Sequence, residues 1–168
     1  MLRQIISLCM KLPPGAIRRL RCQWVRLRLG RCGRALVVDK DVNLITPEHL
    51  YLGDHVVLNR GVILQATGKS RISVGSNVVF SYRSTVLTAG RSIADGKITP
   101  DHQYADVSIG NNVWICANAV VLPGAVIEDN VIVAAGAVAR GVLRRGWIYG
   151  GVPAHPLKET DGEKQRNE

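Results

Sequence analysis

The sequence predicts an all-β solenoid, a single column of short stacked strands preceded by a basic helix. The first observation is a period: apolar residues recur every six positions at Ile109, Ile115, Val121, Ile127, Val133 and Ala139. A second set stands four residues after the first five of them, at Val113, Ala119, Ala125, Val131 and Ala137. With about half of an average chain apolar, eleven such positions in one phase arise by chance on the order of once in two thousand. The second observation is what separates them. Asn111-Asn112, Ala117-Asn118, Pro123-Gly124, Asp129-Asn130 and Ala135-Gly136 supply residues that tolerate a left-handed backbone or preset the entry to a turn. Six residues therefore make one strand and one corner. The third observation is composition: 168 residues, 46% hydrophobic and 5% aromatic, with 17 glycines, fit one globular domain and exclude disorder throughout.

The chain opens on a basic arm, residues 1–34. It holds nine basic residues and no acid, which leaves thirteen basic against thirteen acidic residues for the rest. All of the net charge of +9 thus belongs to the arm. Pro14 suits the first turn of a helix, and no further breaker occurs until Gly30. Ile17, Leu20, Trp24 and Leu27 recur at steps of three and four, while Arg18, Arg19, Arg21, Arg26 and Arg28 lie mostly off that stripe. This is the pattern of a helix lying on an anionic membrane surface. The alternatives are a helix that packs the stripe on the body, or a nucleic-acid arm, which has no need of a stripe. Met1 to Leu12 has no small-residue cleavage site before Pro13, which argues against a secretory signal, and no run of about 18 apolar residues exists to span a membrane. Cys9, Cys22, Cys32 and Cys116 form no CxxC pair, the pattern of reduced cytoplasmic thiols.

The body, residues 35–158, carries the same phase upstream, at Leu52 and Leu58 with Val56 and Val62, and at Val74 and Phe80 with Val78 and Ser84. Nine readable hexads give three coils. From Leu52 to Val74 a coil plus four residues places a small loop around Gly68 to Arg71. From Val74 to Ile109 a much longer excursion leaves near Ala89 and returns near Val107. Insertions in a solenoid fall at corners and map to function more often than to stability. The excursion holds Asp101, His102 and Tyr104. The last ten residues, 159–168, have nothing to bury and are expected to be mobile.

The runs IGNNVWICANAVVLPGAVIEDNVIVAAGAV and GGVPAHPLK resemble the hexapeptide-repeat acyltransferases, and the resemblance covers roughly residues 42–158. It implies a left-handed parallel β-helix, a homotrimer, and acetyl-CoA as cosubstrate, with no metal. TPDHQYAD is similar to the catalytic loop of the polysaccharide and sugar O-acetyltransferase branch. His102 is the implied catalytic base, and imidazole suits removal of a hydroxyl proton near neutral pH. Asn59, Asp101 and Tyr104 are the implied acceptor-binding residues, with Asp101 or Asp106 available to orient the imidazole. The implied coenzyme A groove takes in Trp114, Cys116, Ala134, Arg140, Arg145, Pro153 and Lys158. Trp114 would line it, and Arg140, Arg144, Arg145 and Lys158 would meet phosphates. Val152-Pro153-Ala154 would close the last coil against the adenine. Two positions depart from the family: Cys116 stands where glycine usually follows VWI, and Gly141 where an acid usually follows the basic corner residue. The γ-carbonic anhydrases share the solenoid, but His49 and His55 lack their zinc spacing.

The function so implied is transfer of an acetyl or small acyl group to a sugar hydroxyl during surface polysaccharide or lipopolysaccharide synthesis. The acceptor is a carbohydrate or lipid-linked sugar, the setting cytoplasmic or peripheral on the inner membrane face, and no nucleic acid is involved. The alternatives are a serine or amino-sugar N-acetyltransferase and a non-catalytic solenoid scaffold.

Overall fold

The computed structural model describes residues 14–160. The helix α1 (Pro14–Arg28) leads into a column of parallel strands laid down three to a turn. The first turn is β1 (Arg31–Cys32), β2 (Val37–Val38) and β3 (Asn43–Ile45), and the second is β4 (Leu50–Leu52), β5 (Val57–Leu58) and β6 (Ile63–Gln65). The third turn comprises β7 (Ile72–Val74), β8 (Val79–Phe80) and β9 (Thr85–Leu87). The chain then departs in a hairpin, β10 (Ala89–Ala94) and β11 (Lys97–Tyr104). It resumes with β12 (Val107–Ile109), β13 (Trp114–Ile115) and β14 (Val120–Val121), followed by β15 (Val126–Ile127), β16 (Ile132–Val133) and β17 (Val138–Ala139). A sixth, partial turn holds β18 (Val142–Leu143) and β19 (Trp147–Gly150), and β20 (His155–Glu159) folds back antiparallel on β19.

Like strands stack on like. The first face runs β1-β4-β7-β12-β15-β18, the second β2-β5-β8-β13-β16-β19-β20, and the third β3-β6-β9-β14-β17. The result is the left-handed parallel β-helix that the resemblance implies, with about six turns. Twice as many turns exist as the readable hexads suggest. The unread ones keep the step of six, at Cys32, Val38 and Leu44 and at Leu143 and Tyr149, but corners of other lengths, from Leu44 to Leu52 and from Ala139 to Leu143, shift them out of phase with the main set.

Every position of the two periodic sets is buried at 2% exposure or less. Leu52, Val56, Leu58, Val62, Val74, Val78, Phe80 and Ser84 are buried as well. Alternation within each short strand puts one side chain in and its neighbour out. The corners take the conformations their residues suit: Asn112, Asn118 and Asn130 have φ of 54°, 57° and 59°, and Gly124 and Gly136 have 78° and 69°.

The boundary between arm and body falls inside the expected arm, since β1 already pairs with β4 through Arg31 and Cys32. The expected tail begins with ordered residues: Glu159 pairs with Trp147, and Thr160 donates its backbone N–H to Gly146. The rest of the tail, and the segment holding Arg3, Cys9 and Lys11, lie outside the described residues. Cys22, Cys32 and Cys116 are unbridged.

Candidate active site

The hairpin leaves the solenoid at the corner between the third and first faces, between Leu87 and Val107. Ala105 donates its N–H to the Thr88 carbonyl at 2.9 Å and so closes its base. Below it a buried hydroxyl cluster ties the corner together, with Ser70 Oγ donating to Thr88 Oγ1 at 2.6 Å and the Thr67 N–H donating to Thr88 Oγ1 at 3.0 Å. Tyr104 lies on the next corner down. A Cβ at Gly68, whose φ is +64°, would stand 3.1–3.2 Å from the tyrosine ring, so glycine is required there both for the turn and for the ring's seat.

His102 lies exposed on β11, two residues before Tyr104 and therefore on the same side of the strand. The two rings stack, with centroids 6.0 Å apart and planes at 19°. Arg91 stands directly across the hairpin from His102 and holds the Pro100 carbonyl through its guanidinium at 3.1 Å. Neither acid orients the imidazole as expected. Asp101, adjacent to His102 on β11, makes no hydrogen bond or ion pair with the imidazole, and it lies where the hairpin register shifts between Arg91 and Ile93. Asp106 is committed to Arg71, accepting its backbone N–H at 2.8 Å and facing its guanidinium at 3.9 Å.

The remaining acceptor and cofactor residues gather elsewhere. Adding one turn at a time to Asn59 gives Ser81, Cys116 and Ala134, each bonded by its backbone N–H to the carbonyl of the turn above. These four form one column along the edge between the second and third faces. Asn59 also donates its side-chain amide to the Phe80 carbonyl at 2.8 Å. Cys116 is half-buried, and that burial pushes its thiol above the ordinary range. Trp114, 48% exposed on the second face, donates its indole N–H to Ser81 Oγ at 2.8 Å, which anchors the ring beside this edge. Ser81 was not legible as a site residue. Its signal lies in turn-to-turn register with Asn59 and Cys116, which an uneven repeat hides.

The implied phosphate partners sit apart. Arg140, exposed and without an ion pair among the described residues, is at the corner of the third and first faces, next above Leu122 and Leu87. The loop holding Pro153 folds over β17, where the N–H of Ala154 donates to the Val138 carbonyl at 2.9 Å, two residues before Arg140. Lys158 pairs with Ile148 on the second face. Arg145 ends a polar ladder on the corner between the first and second faces, its guanidinium 3.2 Å from Asp129 and its backbone N–H on Glu128 at 2.9 Å.

His102 and Asn59 thus lie at opposite ends of the third face, and one chain does not bring them together. A hollow of about 460 Å³ on the first face, lined by Arg31, Tyr51, Arg71 and Ser73 among others, contains none of the expected site residues. Among the described residues no group of three or more His, Cys, Asp or Glu side chains converges as a metal site would require, and no helix is long and apolar enough to cross a membrane.

Residues 106–141 match the family model described as bacterial transferase hexapeptide, six repeats. The chain is 27% identical over 146 residues to a provisionally named colanic acid biosynthesis acetyltransferase, WcaF, of Escherichia coli (strain K12), a match covering 87% of this chain and 78% of that protein. Among solved structures, the hexapeptide-repeat-containing acetyltransferase VCA0836 of Vibrio cholerae O1 biovar eltor, complexed with acetyl coenzyme A, superposes with a TM-score of 0.77 at 22% identity, covering 90% of this chain and 80% of the other. A galactoside acetyltransferase in complex with coenzyme A gives a TM-score of 0.80 at 20% identity, covering 92% and 76%.

Proposed function

We propose that this chain, a hexapeptide-repeat protein, transfers an acetyl group from acetyl-CoA to a sugar hydroxyl in surface polysaccharide or lipopolysaccharide biosynthesis, and does so as a homotrimer. The observation that carries the reading is the division of the site. His102 and Tyr104 project from one end of the third face, while Asn59, Trp114, Cys116 and Ala134 line the other. Two copies set side by side, hairpin against edge, would complete one site from two chains, and threefold symmetry closes that heterologous contact into a ring.

The residues present suit the cosubstrate. Trp114 offers an anchored ring for the pantetheine arm to lie on. Arg140 offers an uncommitted cation for a phosphate. When bound, acetyl-CoA supplies a thioester carbonyl. His102 accepts the acceptor hydroxyl's proton as that oxygen attacks the carbonyl carbon, and a backbone amide stabilises the resulting oxyanion. As the carbon–sulfur bond breaks, the imidazolium returns the proton to the departing thiolate, so the base leaves the cycle unchanged. Likeness to WcaF supports a surface-polysaccharide acceptor.

The test is His102→Ala. Turnover of acetyl-CoA with sugar acceptors, followed by free-thiol release, is expected to fall by about 10² to 10⁴ in kcat with coenzyme A affinity intact. A variant that retains near wild-type turnover would remove His102 as the base.

A further inference from the structure

The helix α1 uses one side to pack and leaves another bare. Val25 is buried, with Cys22 and Leu29 partly buried beside it against the core. The contact is reinforced at the free edge of β2, where the Val38 N–H points to Cys22 Sγ at 3.3 Å and Arg21 donates to the Val38 carbonyl at 3.3 Å. The helix thereby caps the first turn of the solenoid, whose open edge would otherwise invite strand addition. The stripe foreseen in the sequence takes no part. Ile17, Leu20, Trp24 and Leu27 are 43%, 60%, 58% and 86% exposed. At about 100° per residue they fall on the side of the helix remote from the solenoid.

The surroundings of the stripe are cationic. Arg28 lies over the Trp24 ring at 4.4 Å from its centroid, Arg21 stands on the same flank, and Arg18, Arg19 and Arg26 occupy the rest of the circumference. No acidic side chain occurs in α1 itself, and the nearest in sequence, Asp39, lines a hollow with Arg18 and Arg21 that includes none of the stripe residues. A face that is apolar at its centre and arginine-rich at its margins matches an anionic lipid interface, with indole and guanidinium at headgroup depth and leucines below it. A protein groove would satisfy the leucines without explaining the arginines, and a nucleic acid would satisfy the arginines while leaving the leucines in water.

We infer that α1 docks the protein on anionic phospholipid membranes through Leu20, Trp24 and Leu27, with the solenoid standing first turn downward on the surface. This docking does not depend on the acetyl-transfer reading, since none of the proposed site residues lies in α1.

The full chain is tested with vesicles of phosphatidylcholine alone and of phosphatidylcholine with phosphatidylglycerol. Co-sedimentation is expected only with the anionic vesicles. Tryptophan emission is expected to shift to the blue and to be quenched by brominated acyl chains, and Trp24→Phe is expected to abolish both effects. Leu20→Ser combined with Leu27→Ser, both exposed and hence foldable, is expected to lower partitioning at least tenfold with an unchanged thermal midpoint. Four results would each overturn the inference. Sedimentation that survives the double substitution and gives no blue shift would mean electrostatic adsorption alone. Trp24 shielded from acrylamide without lipid would assign the stripe to a second copy, if light scattering shows association through α1, or otherwise to residues 1–13. Duplex nucleic acid binding without vesicle binding would reassign the arginines. Equal partitioning to neutral vesicles would remove the charge complementarity.

Discussion

The rings of His102 and Tyr104 stack on the hairpin, while Asp101, in the stretch where its register shifts, makes no hydrogen bond to the imidazole. Asp101→Asn is therefore expected to change kcat far less than His102→Ala, a comparison that free-thiol assays make directly. Ser81 acts through Trp114, whose indole it anchors. One such hydrogen bond is worth about 0.5–1.5 kcal/mol, so Ser81→Ala is expected to raise the KM for acetyl-CoA about two- to tenfold while leaving kcat near its original value. In the proposed groove Arg140 would meet a phosphate of the cosubstrate, and a charge-assisted bond is worth about 1.5–3 kcal/mol. Arg140→Ala is expected to raise that KM by roughly tenfold or more, with less discrimination against dephospho-coenzyme A. An unchanged KM would transfer the role to Lys158 or to Arg144 and Arg145.

The corner between the first and second faces behaves as one element. Side chains of successive turns bond the backbone of the turn below: Asp54 accepts from Arg34, Ser76 from Asp54, Asn111 from Ser76, and Asp129 from Asn111. Gly53 and Gly75 sit beneath this ladder, where an added Cβ would lie 2.6–2.7 Å from the next turn's backbone, so the column stacks this closely only without side chains there. The Asn111 N–H, then Arg145, holds the Asp129 carboxyl below its ordinary 3.8, and the Arg145 N–H with Arg144 holds Glu128 below 4.5. Asp54 is depressed likewise by the backbone and side chain of Arg34. A carboxyl whose folded pKa is depressed adds stability above its unfolded pKa and loses it as pH falls through the folded value. The thermal midpoint is thus expected to stay level from pH 8 to about 5 and to drop below about 4. Asp129→Asn is expected to shrink that drop, as scanning calorimetry across this range would show. In the interior of the column Phe80, fully buried between Leu58 and Ile115, is the largest side chain. Phe80→Ala is expected to cost about 3–5 kcal/mol in urea unfolding.

At the scale of the whole molecule the column is narrow and the proposed site is divided between its edges. Val126 and Val142, in register on successive turns of the first face, turn outward at 39% and 50% exposure, which leaves apolar surface for a neighbouring copy. Light scattering is expected to give three times the 18.3 kDa chain mass, with acetyl-CoA binding lost on dissociation. A monomer that turns over substrate would contradict a site shared between chains. Vesicle docking through α1 and trimer formation are separable, because the one rests on the outward stripe and the other on the solenoid faces.

Local periodicity determined the solenoid, its inward residues, its left-handed corners and the bounds of the hairpin, since each depends on which residue can face a core or adopt a turn within six positions. Ser84 at an inward position and the small loop around Gly68 to Arg71 were legible from the same phase, whereas the seat of Tyr104 against Gly68 was not. Tertiary structure alone decided what depends on pairing between turns. The number of turns doubled because corners of unequal length, from Leu44 to Leu52 and from Ala139 to Leu143, put the first and last turns out of phase with the readable set, and only their pairing with neighbouring strands shows them in one column. Asp106 was taken from His102 by Arg71, whose N–H lies across the corner, and Ser81 came under Trp114 through register alone. The helix shows the division most clearly. The apolar face legible in α1 was the stripe of Ile17, Leu20, Trp24 and Leu27, whereas the helix packs through Cys22, Val25 and Leu29. The free edge of β2 chose the latter line, because its backbone N–H and carbonyl at Val38 required partners that Cys22 and Arg21 supply.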